Sequence, residues 1–327
     1  MNDHSPRRYR GSLLERAAEQ YHFAPPPVQQ PVPPPVQRAA PQPVYEPQPV
    51  PVPAYEAPVV AEAAPVLRRG FAADVPEEPR RETGRRMAPI DRTALASAGM
   101  IVPGSQITPL AEEFRLAKRQ LLLTARAVSG MDADRARMVL VCSAQQDEGK
   151  TFCAINLALS MAAEKDVEVL LVDADFAKPD IMARLGLPEG PGLLDALAGT
   201  VNVEDCIIDT DVPQLCVLPA GTKSVSDTEM LASDRARQIL DGLAAANPRR
   251  IVIFDSPPAL AASPAAVLAL HVGQVMLVVR ADKTSESDLR EATAMLDGCE
   301  HIQLLLNAVS FRPGGRRFGS YYGEAGK

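Results

Sequence analysis

The tripeptide Gly149-Lys150-Thr151 stands where one apolar run, "MVLVCS", has just ended and another, "TFCAINLALSMAAE", begins with helical patterning. A strand, a short loop and a helix in that order make an anion site, because loop N–H groups and the helix N-terminus both favour negative charge. Lys150 would then reach β- and γ-phosphates, and the Thr151 hydroxyl would serve Mg²⁺. The whole run Ala144, Gln145, Gln146, Asp147, Glu148, Gly149, Lys150, Thr151 and Phe152 is the expected nucleotide-binding segment. Ala144 holds the first motif position, where Gly is commoner.

Two further stretches carry carboxylates suited to the same chemistry. Asp173 and Asp175 close the strand-like run in "VLLVDADFAKP". Carboxylates two apart on a strand point to one side. Beside a nucleotide they would bind metal or accept a proton, and either of the two can be the base. Asp255 ends the apolar run in "RIVIFDSPP", where an aspartate holds Mg²⁺ through water. Asn307, at the end of "IQLLLNAV", joins the nucleotide-binding set.

The elements that must position these residues are legible from Arg137 onward. The runs "MVLVCS", "EVLLVDAD", "LCVLPA", "RIVIFDSPP", "QVMLVVRA" and "IQLLLNAV" are apolar and β-branched, as strands covered on both faces should be. Helical patterns separate them, "MLASDRARQILDGLAAA" reading as one such helix. The expected fold is α/β: a doubly wound, mainly parallel P-loop NTPase sheet with helices on both faces. Such sheets bind ligands at the carboxyl ends of their strands. Ahead of them, "PLAEEFRLAKRQLLLTARA" reads as a helix from about residue 109, with Leu110, Phe114, Ala117, Leu121 and Ala125 on its apolar face. Glu112, Arg115 and Lys118 fall on another side, where a solvated face is expected.

The rest of the 327 residues is of a different character. Residues 25–65 hold 15 prolines, which cannot build a sheet or a helix interior and read as an extended tether. The expected organisation is a short docking helix within 1–24, a proline-rich tether over 25–105, the nucleotide-binding domain over 106–310 and a flexible tail over 311–327. A net charge of −7 argues against a nucleic-acid partner. Five cysteines without a CxxC pair read as buried thiols. No apolar run approaches the ~20 residues needed to span a bilayer. All six tyrosines lie near the two ends: Tyr9, Tyr21, Tyr45 and Tyr55, then Tyr321 and Tyr322.

In "SLLERAAEQ", "AEEFRLAKRQLL", "EGKTFCAINLALS", "LLVDADFAKP", "DTEMLASDRARQIL", "IVIFDSPP" and "HVGQVMLVVRA" the chain resembles the bacterial P-loop tyrosine kinases of exopolysaccharide synthesis. It is most similar to the tyrosine autokinases of exosortase-type loci. The resemblance implies phosphoryl transfer from ATP with Mg²⁺. Lys150, Asp173 and Asp175 would be catalytic, and Thr151, Asp175 and Asp255 would organise the metal. Tyr321 and Tyr322 would be acceptors, labelled between subunits. It implies self-assembly through an E-x-x-R-x-x-R motif, here Glu112, Arg115 and Lys118. It also implies a membrane-embedded polysaccharide chain-length protein as partner, and a peripheral place at the cytoplasmic side of the inner membrane. Gln146 and Asp147 stand where relatives usually carry Pro and Gly, and Ala177 stands where many carry Arg, with Lys178 following. Two other classes share the motifs: a ParA/MinD-like ATPase switch, and an ATP-binding regulatory subunit without transfer. Switch ATPases carry a signature Lys where this chain has Gln145.

Overall fold

The computed structural model describes residues 85–309, apart from 129, 131 and 224–226. The proposed docking helix, most of the proline tether and the tyrosine tail lie outside the described residues.

Eight strands form one sheet in the order β1-β4-β5-β3-β6-β2-β7-β8. They are β1 (Arg86–Ala88), β2 (Met138–Ser143), β3 (Glu168–Asp173), β4 (Ile208–Thr210), β5 (Leu215–Leu218), β6 (Arg250–Asp255), β7 (Gln274–Arg280) and β8 (Ile302–Asn307). Every pairing is parallel except the β4–β5 hairpin, where Ile208 faces Val217. The expected mainly parallel α/β architecture is what forms.

The strand sequences divide themselves between two cores by their period of two. In β2, Met138, Leu140 and Cys142 join one buried cluster, and Val139 and Val141 join the other. The second cluster is roofed by α1 (Arg92–Ser97), α2 (Pro109–Val128), α3 (Lys150–Met161) and α4 (Ile181–Leu185). The first is covered by α5 (Leu193–Leu197), α8 (Asp234–Ala245), α9 (Pro264–Ala269) and α10 (Glu286–Met295). Two short helices, α6 (Val203–Cys206) and α7 (Asp227–Leu231), complete the set. Burying each large aliphatic side chain contributes about 1.5–3 kcal/mol, so helices on both faces are what allow strands this apolar. The five cysteines are buried and unpaired, as their apolar surroundings imply.

Two expectations need correction. The tether does not extend to residue 105. Residues 86–100 are folded: Ile90, Leu95 and Met100 are buried in the second cluster, and β1 pairs with β4. That stretch holds a helix bracketed by its own start and stop signals. Asp91 caps α1 by accepting from Thr93 N and Ala94 N, and Gly99 follows its end at φ +68°. The second correction is a break in "MLASDRARQILDGLAAA". Ser233 is extended and its hydroxyl accepts from Ala236 N, so α7 stops and α8 starts anew.

No helix of the described residues is long and apolar enough to cross a membrane.

Candidate functional site

The carboxyl ends of β3, β6, β2 and β7 lie side by side, and they deliver the residues singled out above to one edge. Asp173 is in register with Asp255 across β3–β6, and Val141 with Asp255 across β2–β6. The loop from Ala144 to Gly149 follows β2 and enters α3 at Lys150.

The helix start is built for an anion. Its N-cap, Gly149, has φ +94° and offers no side chain to the first-turn N–H groups, which are left for a ligand. A Cβ on Gly149 would meet Asn307 Nδ2 at 2.1 Å, so any other residue here would push the Asn307 side chain off the loop. Asn307 Nδ2 donates to Glu148 O at 2.9 Å, which puts Asn307 against this loop as expected. Ala144 is buried, and its carbonyl accepts from Leu260 N. Gln145 N donates to Glu148 Oε2, and Gln145 Nε2 donates to Asp288 Oδ1. Glu148 is buried too, and its other carboxylate oxygen accepts from the Thr284 hydroxyl. Glu148 therefore staples the loop rather than facing a ligand. Gln146 and Asp147 are exposed at the tip. Asp147 has φ +61°, a conformation that glycine adopts freely and Asp tolerates better than most residues. Phe152 is partly buried against the second core, beneath the start of α3.

Lys150 Nζ donates to Asp175 Oδ2 at 2.5 Å. Burial pulls the Lys150 ammonium down, the Asp255 and Asp175 carboxylates push it up, and the net shift is upward. Lys150 keeps its proton in this setting. Thr151 sits buried in the first turn of α3.

The three aspartates are not equivalent. Asp173 Oδ2 accepts from the backbone N–H groups of Asp180 and Ile181, which fixes the carboxylate at the start of α4. Its Oδ1 is buried without a partner. Burial pushes Asp173 up to about 7, against those backbone hydrogen bonds. Both oxygens of Asp255 are buried and unpartnered. Burial again pushes it up to about 7; the Lys150 charge opposes this and Asp173 adds to it. Asp175 accepts from Lys178 N as well as from Lys150. Orphaned buried carboxylate oxygens cost about 1–3 kcal/mol each, and they are what a hydrated divalent cation would satisfy. No group of three or more His, Cys, Asp or Glu among the described residues is arranged to hold a metal by itself. Mg²⁺ here would therefore need phosphate oxygens among its ligands, together with Thr151 and the orphaned Asp255, with Asp175 beside them.

A cavity of about 660 Å³ lies away from this edge. It opens beside Met138, at the far end of β2, between Asp132, Arg237 and His271. Sequence reasoning missed four polar contacts to the loop: Arg280, Lys283, Thr284 and Asp288. The signal was available, since "RADKTSESD" follows the strand that pairs with β2 on the P-loop side.

The three residues expected to serve self-assembly are split by the structure. Glu112 and Arg115 pair with each other on the outside of α2 at 2.5 Å. Lys118 turns inward: it is buried and donates to Ser160 O at 3.0 Å and to Glu164 Oε1 at 2.6 Å. The expectation that all three share a solvated face fails for Lys118, because Phe114 and Leu121, its neighbours by four and three, define the buried side.

The AAA domain family matches residues 137–305, just over half of the chain. The tyrosine-protein kinase YwqD of Bacillus subtilis is 31% identical over 173 residues, which cover 53% of this chain and 71% of YwqD. The chain belongs to the AAA domain family, and within it to the bacterial tyrosine-protein kinases. A protein of Ralstonia nicotianae named "Putative tyrosine-protein kinase EpsB" is 33% identical over 181 residues, 54% of this chain but only 23% of EpsB. Among solved structures, the BceF tyrosine kinase domain superimposes with a TM-score of 0.50 at 27% identity, covering 59% of this chain and 76% of that domain. The chain spans about a quarter of the length of the first curated relatives it matches.

Proposed function

We propose that the chain is an ATP-dependent protein-tyrosine autokinase acting in exopolysaccharide synthesis. The observation that supports it best is the convergence of Lys150 and Asp175 with the orphaned oxygens of Asp173 and Asp255, behind a loop whose helix start is uncapped. Kinase relatives and the tail pair Tyr321 and Tyr322 supply the acceptor class.

Phosphoryl transfer is largely positioning and charge neutralisation. Loop amides and Lys150 would hold the phosphates of ATP. Mg²⁺ bound by Thr151 and phosphate oxygens, with Asp255 and Asp175 oriented toward its waters, would neutralise charge on the transferring group. The phenol oxygen of an acceptor tyrosine would bond to the γ-phosphorus as the bond to the β–γ bridging oxygen breaks, releasing ADP. Of the two candidate bases, Asp173 suits the phenolic proton better. One oxygen is fixed by two N–H groups, the other is free, and a group pushed up to about 7 is matched to proton acceptance near neutrality. Asp175 is engaged by Lys150.

The proposal includes labelling of Tyr321 and Tyr322 between copies of the chain, and a membrane-embedded polysaccharide chain-length protein as partner. Incubation of purified protein with Mg-ATP, followed by peptide mapping, tests it. Phosphotyrosine should appear on Tyr321 and Tyr322, and Tyr321→Phe/Tyr322→Phe should lose most of the label while ATP hydrolysis persists. A complete absence of phosphotyrosine would sink the kinase reading.

A further inference from the structure

Three successive peptide units of the phosphate loop are held from outside by their carbonyl oxygens. Lys283 Nζ donates to Gln146 O at 2.8 Å, Arg280 Nη1 to Asp147 O at 3.1 Å, and Asn307 Nδ2 to Glu148 O at 2.9 Å. In a trans peptide the C=O and N–H point in opposite directions. Pinning these three oxygens outward therefore turns the N–H groups of Asp147, Glu148 and Gly149 inward. None of those N–H groups donates to an acceptor among the described residues.

Both cations come from one tight turn after β7. Lys283 N and Thr284 N donate to Arg280 O, and Arg280 N donates to the Thr284 hydroxyl at 2.9 Å. That hydroxyl reaches Glu148. The turn runs straight into α10, whose Ser285 and Asp288 form a capping box, and Asp288 also accepts from Gln145. Arg280 Nε shares Asp282 at 3.2 Å, so its guanidinium is oriented from two sides.

We infer that Arg280 and Lys283 are positioning residues for nucleotide binding: they preset and polarise the phosphate loop by its carbonyls, without touching the nucleotide. Hydrogen bonding a cation to a carbonyl draws electron density through the peptide unit and strengthens the N–H on its far side as a donor. Fixing the three planes in advance also removes ordering cost from the binding step. An exposed loop with Asp147 at its tip gains most from this, since its own carboxylate opposes an incoming triphosphate.

The inference rests on the nucleotide reading above, and titration of the full chain with a fluorescent ADP in Mg²⁺ separates the two. Arg280→Ala/Lys283→Ala should raise the Kd about tenfold, or about 1.4 kcal/mol, with the ligand-free Tm held near wild type. Amide exchange at residues 147–149 should quicken in that variant. Lys283→Gln keeps a donor but not the charge and should fall between. Arg280→Lys/Lys283→Arg should bind close to wild type. Equal Kd in the double alanine variant, a Tm that falls in step with affinity, or failure of the conservative pair to recover binding would each overturn the positioning role. A wild-type chain that binds no Mg-ADP would overturn the nucleotide reading and this inference with it.

Discussion

Lys150 Nζ and Asp175 Oδ2 form an ion pair at 2.5 Å with side chains 14% and 5% exposed. The cation expected to meet phosphate is thus held by the carboxylate that follows β3, two strands away from β2 in the sheet. Removing one partner of a buried pair leaves the other uncompensated and costs about 3–5 kcal/mol. Lys150→Met should therefore lower ligand-free stability by about that amount at pH 8 in urea, besides abolishing ATP-dependent labelling. Lys150→Met/Asp175→Leu should recover most of the stability and none of the activity. Wild-type stability in the single variant would mean that the pair carries little energy.

Asp173 and Asp255 give the domain a pH dependence opposite to that of salt-bridged carboxylates. Each is pushed up to about 7 in the fold and titrates near 4 when unfolded. Between about pH 4 and 7 the folded chain holds protons that the unfolded chain has released. Stability from these groups falls as pH rises through that window, and the cost is complete above 7. Asp255→Asn should raise the ligand-free Tm at pH 8 by roughly 2–12 °C, taking ~1–3 kcal/mol at ~2–4 °C per kcal/mol. At pH 4 the gain should vanish, because the wild-type side chain is neutral there. An equal gain at both pH values would contradict the assignment.

Asp147 at φ +61° invites a gain of function. Asp147→Gly removes the backbone strain and a carboxylate exposed at the loop tip. Mg-ATP affinity should rise about two- to fivefold, in line with ~0.5–1 kcal/mol for an exposed charge. The gain should shrink at high salt. Calorimetric titration at two ionic strengths would reveal an unchanged or weakened affinity if the carboxylate plays no part.

The two cations of α2 should separate cleanly. Arg115 is exposed and among the described residues pairs only with Glu112, so Arg115→Ala should change stability by no more than about 0.5 kcal/mol and, on the self-assembly proposal, reduce the mass seen in light scattering. Lys118 is buried and bonded to α3 and the turn after it. Lys118→Ala should lower stability by about 1–3 kcal/mol through the unpaired Ser160 carbonyl and lost packing. A destabilised Arg115→Ala, or a silent Lys118→Ala, would reverse this division.

What the sequence made legible was whatever a single local pattern determines. Glycine, lysine and threonine between strand and helix located the loop, and apolar runs ending in aspartate located Asp173 and Asp255. Roles that depend on contacts remote in sequence were not legible. Glu148 looked like a ligand-facing loop residue, but it bonds Thr284, 136 positions away. Lys118 looked solvated, since helical spacing alone does not say that Glu164 stands ready to receive it. β1 and β4, three residues each, are too short to carry a period, and β1 is fixed by pairing with β4 across more than a hundred residues.

Asn307 ends the last strand within a hydrogen bond of the phosphate loop. Only 14 positions separate it from Tyr321. At ~3.4 Å per extended residue that is a reach of about 48 Å, measured from the rim of the chain's own nucleotide site. A flexible segment leashed this closely would meet that site at an effective concentration of roughly millimolar. The exit of β8 thus sets a threshold on kinetic order. Labelling within one copy proceeds at the same rate however far the protein is diluted. Labelling between copies can dominate only where assembly presents a neighbour's tyrosine at more than that local concentration, and it then collapses on dilution below the assembly constant.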